Sequence, residues 1–228
     1  MIAAVFAYSG DALPVIECCL RLRAAGVRPW VFDDAKARLP GWVRGSLWEI
    51  GAEHVVTNFD RRGNLNGTDC CIGMLSAMLS TEAETVLKID ADTLLVRPEL
   101  FEVGNVGCCS TMTARRDAFG ACYSVDRETI KAALRIIEGM PRDPYCPEDL
   151  TIWSAIRATG HPFEMIDHTP DGGGLAAVPI GSNVDRPERF AALTFGNQPE
   201  GGWEDRQIQV TLEMRRFRSV IDQTLKIK

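Results

Sequence analysis

Two aspartates separated by one residue, Asp90 and Asp92, follow a run of mostly apolar and β-branched residues at 85–89. Such a run is typical of a strand that is buried on both faces in a parallel sheet. Open α/β sheets bind ligands at the carboxyl ends of their strands, where both carboxylates would then lie. Neighbouring carboxylates favour a bound cation, and their oxygens suit Mg²⁺ or Mn²⁺. The pattern predicts a metal-held diphosphate and chemistry that expels it, with an ordinary aspartate turn as the alternative.

The elements around these aspartates alternate between strand and helix over the first hundred residues. Strands are predicted at 2–8, 27–32 and 54–57, and helices at 12–25, 41–51 and 70–79. This alternation is typical of a doubly wound sheet with right-handed crossovers. We therefore expect the α/β class, with a mostly parallel central sheet flanked by helices.

The second half of the chain has a less regular pattern. A strand is predicted at 120–125, helices at 127–138 and 148–159, and a short strand at 162–166. Within the region 169–187, which is rich in glycine and proline, residues 171–174 are predicted to form a flexible hinge or lid, or else a disordered loop. A basic amphipathic helix at 208–225 is predicted to pack on its own domain, the alternative being contact with an anionic membrane.

Composition narrows the function classes. The chain has 228 residues and a formal net charge of −6, which favours one domain and disfavours non-specific nucleic-acid binding. The first ten residues are apolar but lack a basic start, so they predict a strand rather than a signal peptide. The 8 cysteines include three adjacent pairs and no Cys-x-x-Cys spacing. We expect reduced thiols that pack as small hydrophobes, and a cytoplasmic protein.

Four segments, in this order, resemble nucleotide-sugar-dependent glycosyltransferases of the Rossmann-like GT-A fold: 6–11, 31–34, 61–67 and 88–98. The resemblance covers roughly residues 2–168 and closely matches the family's Asp-x-Asp motif. It implies a set of donor contacts, which are Ala7, Tyr8, Asp11, Asp33 or Asp34, Asn64, Asn66, Lys88, Asp90 and Ala91. For Asp33, Asp34, Asn64 and Asn66, a role in turns is the alternative.

The same resemblance implies a metal site that holds Mn²⁺ or Mg²⁺. In the family the second aspartate of the motif usually binds the metal directly, which points to Asp92. Asp90 would then contact the ribose or a metal-bound water. His168 is the best-placed histidine for a third ligand. Some retaining members carry that histidine in a segment where this chain has Thr194, so water is the alternative ligand.

A catalytic base is implied by residues 147–150, which are similar to the Glu-Asp motif of inverting members. Asp149, and after it Glu148, would take the proton of the acceptor hydroxyl. The alternative is that both are acids that stabilise the start of a helix.

Together these features imply one GT-A-like domain over 1–228. It would have a nucleotide-donor half at 1–100, an acceptor half at 101–207 and a C-terminal amphipathic helix at 208–228. The expected function is metal-dependent transfer of a sugar from a UDP- or GDP-sugar to an acceptor that the sequence does not name. A non-catalytic carbohydrate- or nucleotide-binding module is one alternative. A sugar-phosphate nucleotidyltransferase is another, although residues 7–11 lack its glycine-rich loop with arginine.

Overall fold

The computed structural model describes residues 1–60, 67–102, 104–110, 120–195 and 203–226. The first half contains β1 (Ile2–Ala7), α1 (Pro14–Ala24), β2 (Arg28–Asp33), α2 (Gly41–Ile50), β3 (Glu53–Val56), α3 (Gly67–Ser80) and β4 (Thr85–Asp90). The second half contains β5 (Thr93–Leu95), β6 (Val106–Cys108), β7 (Cys122–Asp126), α4 (Arg127–Glu138), α5 (Glu148–Ala158), β8 (Glu164–Ile166), β9 (His168–Thr169), β10 (Gly172–Ala177), β11 (Phe190–Thr194) and α6 (Trp203–Lys226).

A seven-stranded sheet forms the centre of the fold, in the order β3-β2-β1-β4-β7-β6-β8. Its first four strands are parallel, β7 is antiparallel to β4 and β6, and β8 is parallel to β6. The predicted α/β class, with a mostly parallel central sheet flanked by helices, is confirmed. Because β1 lies between β2 and β4, the chain connections diverge on either side of it, which is the topology that creates a ligand crevice.

Strand β4 is buried on both faces, as its composition predicted. Leu87 and Ile89 pack into the core that α1, α2 and α6 share with this side of the sheet. Val86 packs into the core formed with α3, α4 and α5. Side chains alternate along a strand, so Lys88 lies on the same face as Val86, toward α5.

A second, four-stranded sheet has the order β5-β11-β10-β9. Its strand β10 contains Gly172, Gly173 and Gly174, so the predicted hinge or lid is wrong. A side chain at Gly174 would overlap the carbonyl groups of Cys109 and Ile166. These glycines permit close approach of neighbouring backbones, which is a common reason for glycine within a strand.

Helix α6 packs on its own domain, as expected. Val210, Met214, Phe217 and Ile221 are buried along one face. Two of its arginines bind the buried carboxylate of Glu17, each at an N–O distance of 2.9 Å. The apolar stripe formed by these four residues is therefore covered by the domain. Within the described part of the chain, no helix is both long and apolar enough to cross a bilayer.

Candidate functional site

The carboxyl ends of β2, β1 and β4 meet at one edge of the central sheet. Ala7 is paired with Asp33, and Phe6 with Asp90. The segments predicted to contact a donor after these three strands are thus neighbours in space. Asn64 and Asn66, which were predicted to help hold the donor, lie outside the described residues.

Asp90 ends β4 with its side chain about a quarter exposed (26%). Its backbone N–H donates to the carbonyl of Ala121 at 2.9 Å. Two residues later, the carbonyl of Asp92 accepts from the N–H of Phe195 at 3.0 Å, just beyond β11. Both sheets therefore fix the backbone of the Asp-x-Asp segment, and Asp92 is half-buried.

Lys88 is the centre of a charged cluster beneath this edge. Its side chain has no exposed surface, and its ammonium lies 2.7 Å from Asp90 Oδ1. The ammonium also donates to the carbonyl of Gly120. It lies 3.7 Å from Glu148 Oε1 and 4.0 Å from Asp149 Oδ1. A fully buried side chain offers no surface to a donor, so the predicted direct contact of Lys88 with the donor is corrected to a role in organising carboxylates.

The aromatic ring of Tyr123 lies beside this cluster, with its centroid 5.8 Å from Lys88 Nζ. Burial raises the pKa of the Tyr123 phenol; Lys88 lowers it, while Glu148 and Asp149 raise it further. The phenol is therefore neutral at physiological pH, and it adds no charge to the cluster.

The two acids at the start of α5 differ in accessibility. Asp149 is half exposed (52%), whereas Glu148 is buried (8%) against Lys88. The loop before them is fixed by α3, since the Thr68 N–H donates to the Asp143 carbonyl at 2.8 Å and the Asp143 N–H to Thr68 Oγ1 at 2.9 Å. The positive end of the α5 dipole favours both carboxylates. Of the two, Asp149 is the one whose carboxyl group is open to solvent.

Three carboxylates, those of Asp90, Glu148 and Asp149, thus surround one ammonium. The excess of negative charge and the carboxylate oxygens are the chemistry that suits a hard divalent cation. Among the residues that the structure describes, no group of three or more His, Cys, Asp and Glu side chains could hold a metal alone. A cation held by Asp90 and Asp92 would therefore complete its coordination with water and diphosphate oxygens, as Mg²⁺ commonly does.

The structure does not bring His168 to this site. His168 lies on β9, at the opposite edge of the second sheet from β5, which follows Asp92 directly. Two strands lie between them, so at ~4.8 Å per strand the lateral separation is roughly 14 Å. Its ring stacks on Phe190, and its Nδ1 lies 3.0 Å from the carbonyl of Leu175. These contacts give His168 a structural role, and it is not the third ligand of a metal at Asp92.

Asp33 and Asp34 fix the turn after β2. Asp33 Oδ1 accepts from the N–H of Leu39 at 2.8 Å, and its Oδ2 lies 3.0 Å from His54 Nε2. Asp34 Oδ1 accepts from the N–H groups of Lys36 and Ala37 at 2.7 and 2.6 Å. Both carboxyl groups are buried, which is the turn role that the sequence left open.

Asp11 acts similarly after β1. Its Oδ2 accepts from the N–H of Tyr8 at 3.2 Å and closes a short turn. The N–H of Ser9 donates to the carbonyl of Ala37 at 2.7 Å, which joins this turn to the turn after β2. The two turns therefore form one backbone surface at the edge of the sheet.

Sequence reasoning missed Gly120 as a site residue. The carboxyl group of Asp149 occupies the space that a side chain at position 120 would fill. The available signal was a glycine at the start of the strand predicted at 120–125, because glycine in a strand often marks close approach of another group.

A cavity of about 910 Å³ lies elsewhere, and its lining includes Arg21, Arg97, Thr169, Arg189 and Asp222. None of the residues predicted for the site lines it. The cavity and the cluster of carboxylates around Lys88 therefore indicate two different locations for a functional site. The clustered carboxylates are the stronger indication, because they match the ligand edge of this sheet topology.

Comparisons with known proteins bear on the fold. A scan against protein-family models found no match, and a search of curated proteins found no relative. Among solved structures, a glycosyltransferase involved in the glycosylation of the major capsid of PBCV-1 has a TM-score of 0.53 and 8% identity, covering 92% of this chain and 98% of that one. The glycosyltransferase GlyE of Streptococcus pneumoniae TIGR4 has a TM-score of 0.50 and 10% identity, covering 96% and 64%. A nucleoside-diphosphate-sugar pyrophosphorylase from Vibrio cholerae RC9 has a TM-score of 0.45 and 10% identity, covering 73% and 92%. At these identities the first two structures show that this chain has a glycosyltransferase-like fold.

Proposed function

We propose that this protein transfers a sugar from a nucleoside-diphosphate sugar to an acceptor hydroxyl, with Mn²⁺ or Mg²⁺ at Asp90 and Asp92. The observation that carries the proposal is the cluster at the ligand edge of a glycosyltransferase-like fold. There the carboxylates of Asp90 and Asp149 lie 2.7 and 4.0 Å from one buried ammonium, that of Lys88. One carboxylate can serve the donor and the other the acceptor.

On the donor side, Asp90 and Asp92 would hold the cation. When bound, the metal supplies Lewis-acid stabilisation of the departing diphosphate. The joined turns at residues 8–11 and 34–39 would support the nucleotide through their backbone, since the carboxyl groups of Asp33 and Asp34 are committed to the turns. Residues 1–100 would thus form the donor half.

On the acceptor side, Asp149 would accept the proton of the attacking hydroxyl. It is half exposed and sits at the N-terminus of α5, where the helix dipole favours negative charge. Transfer would then invert the anomeric carbon. The acceptor half at 101–207 would include α5 and β7, whose buried residues belong to one hydrophobic core.

The test is turnover by purified protein of a panel of UDP-, GDP- and CMP-sugars with Mn²⁺. We expect release of the nucleoside diphosphate from a UDP- or GDP-sugar, faster with an acceptor present, and loss of release when EDTA removes the metal. CMP-sugars carry a single phosphate and should not be turned over. Neither release nor binding with any nucleotide sugar would overturn the proposal and favour a binding module of another specificity.

A further inference from the structure

Lys88 and Gly120 connect the two carboxylates that the proposed function places on opposite sides of the reaction. Lys88 binds Asp90 through its ammonium and donates to the carbonyl of Gly120. The α-carbon of Gly120 in turn lies against the carboxyl group of Asp149. A continuous chain of contacts therefore runs from Asp90 to Asp149 beneath the candidate site.

We propose that Lys88 and Gly120 are positioning residues that hold Asp149 at a fixed separation from Asp90. This inference rests on the proposed function, because it assigns Asp149 as the base and Asp90 to the donor side. It adds two residues that touch neither substrate but set the geometry in which the base meets the donor.

The position of Lys88 suits this role physically. Its ammonium is a compact charge with three donors, and here it has no solvent to compete for them. Asp90 and the Gly120 carbonyl lie at hydrogen-bonding distance, whereas Glu148 and Asp149 are held by charge at 3.7 and 4.0 Å. Charge interactions are strong in a buried setting. The ammonium therefore draws β4 and the start of α5 together.

Gly120 supplies the second constraint, which is steric. A methyl group at position 120 would overlap Cγ and both oxygens of the Asp149 carboxyl group. The backbone of Gly120 does not adopt the left-handed conformation, so alanine would not strain the backbone there. Gly120→Ala is thus a probe of the position of Asp149.

A purely structural role for the same contacts makes a different prediction. If Lys88 only neutralises the buried Glu148, then removing its ammonium would lower stability and leave kcat of the folded protein unchanged. A positioning role predicts a loss in kcat while nucleotide binding persists, because a displacement of about 1 Å can cost on the order of 100-fold in rate.

The experiment compares Gly120→Ala with Gly139→Ala, a matched control whose added methyl group would meet only the helix carbonyls of Arg135 and Ile136 at 3.5 Å. We expect Gly120→Ala to lower kcat about 100-fold and to leave Mn²⁺-dependent nucleotide affinity within about threefold. Gly139→Ala should change neither quantity. If Gly120→Ala keeps wild-type kcat, or loses nucleotide affinity as much as kcat, the inference is overturned.

A double mutant makes the test specific to the Asp149 contact. In an Asp149→Ala background the overlap is gone, so adding Gly120→Ala should lower kcat no further. Additive losses would contradict the inference, because Gly120 would then act through another group.

Lys88→Met tests the contribution of Lys88 to the chain of contacts between Asp90 and Asp149. The substitution removes the ammonium and leaves three carboxylates. Its Tm without metal should fall, and Mn²⁺ should raise its Tm by more than it raises that of the wild type, because the cation replaces the missing charge. An unchanged kcat in folded Lys88→Met would overturn the role of Lys88. If this variant does not fold, Gly120→Ala and the double mutant still test whether Asp149 is held in position. Absence of turnover by the wild type would instead contradict the proposed function, on which this inference rests.

Discussion

Asp33 Oδ2 lies 3.0 Å from Nε2 of His54 on the neighbouring strand, while Asp33 Oδ1 accepts from the N–H of Leu39 at 2.8 Å. Both oxygens of this buried carboxylate are therefore committed to the protein itself. The family resemblance implied that Asp33 or Asp34 contacts the nucleotide, with a role in a turn as the alternative. In the structure, the Asp33 carboxylate stabilises the turn after β2.

Asp33→Asn should therefore lower stability and leave nucleotide affinity nearly unchanged. The amide oxygen can still accept from Leu39, but the amide nitrogen can only donate to His54, so the His54 ring must change tautomer and a charged acceptor is lost, at a cost of about 1–3 kcal/mol. Urea unfolding measures the loss. Asp69→Asn is the control, because Asp69 is exposed and its ion pair with Arg142 is a surface pair at 3.3 Å, which contributes little. A large loss of nucleotide affinity with normal stability would restore the donor-binding role.

Substitutions of Glu148 and Asp149, the two acids in the first turn of α5, should affect different quantities. Asp149→Asn should lower kcat by about 100-fold or more with nucleotide binding retained, since the amide cannot take a proton. Glu148→Gln should chiefly lower the melting temperature, because Glu148 is buried against Lys88. Steady-state kinetics and thermal unfolding of both variants make the comparison. The reverse pattern would assign the base to Glu148.

The N-terminus of α4 should contribute pH-dependent stability. Burial alone would raise the pKa of Asp126, but hydrogen bonds from Thr129 and Asn105 outweigh it and hold the pKa below its usual value. The folded state thus binds this proton less readily than the unfolded state. Its contribution is present above the unfolded pKa and is lost as the pH falls through the lowered pKa, below about 4.

Asp126→Asn keeps a capping oxygen and removes the charge. It should be less stable than the wild type at pH 7, and the gap in unfolding free energy should shrink in acid. Urea unfolding at a series of pH values measures this gap. A gap that is constant with pH would show that the charge of Asp126 contributes nothing.

The cysteines should react unequally with thiol reagents. Of the eight, seven are buried and Cys146 is partly exposed. Burial raises the pKa of Cys18, Cys19 and Cys122, which keeps these thiols protonated and unreactive. An aromatic disulfide reagent should label Cys146 rapidly in the native protein and all of the thiols in denaturant. Cys146→Ser should abolish the rapid phase; several rapid thiols in that variant would contradict the burial.

Strand β4, which ends at Asp90, was predicted correctly because the local sequence signals agree there. The apolar run ending in Asp90 and the alternation of strands and helices require no knowledge of distant contacts. The inward direction of Lys88 could not be predicted, because it depends on acids sixty residues further along the chain. His168 was misplaced for the same reason: short-range pattern does not reveal that β9 belongs to a second sheet.

For the glycines of β10, a local sequence preference led to a wrong prediction. Glycine is depleted in strands, so residues 171–174 were predicted to be a hinge. Backbone approach by Cys109 and Ile166 excludes a side chain at Gly174, and this tertiary requirement overrides the local preference.

In the proposed function, Asp92 helps to hold a cation that binds a nucleoside diphosphate. This role can be tested by thermal unfolding of the wild type and Asp92→Asn with UDP or GDP, with and without Mn²⁺. Ligand at about 100 times its Kd adds about 2.7 kcal/mol of stability, which raises Tm by several degrees. We expect a rise that needs both nucleotide and Mn²⁺ and that Asp92→Asn loses. A rise that is independent of Mn²⁺, or that Asp92→Asn retains, would contradict a metal-held nucleotide at Asp92.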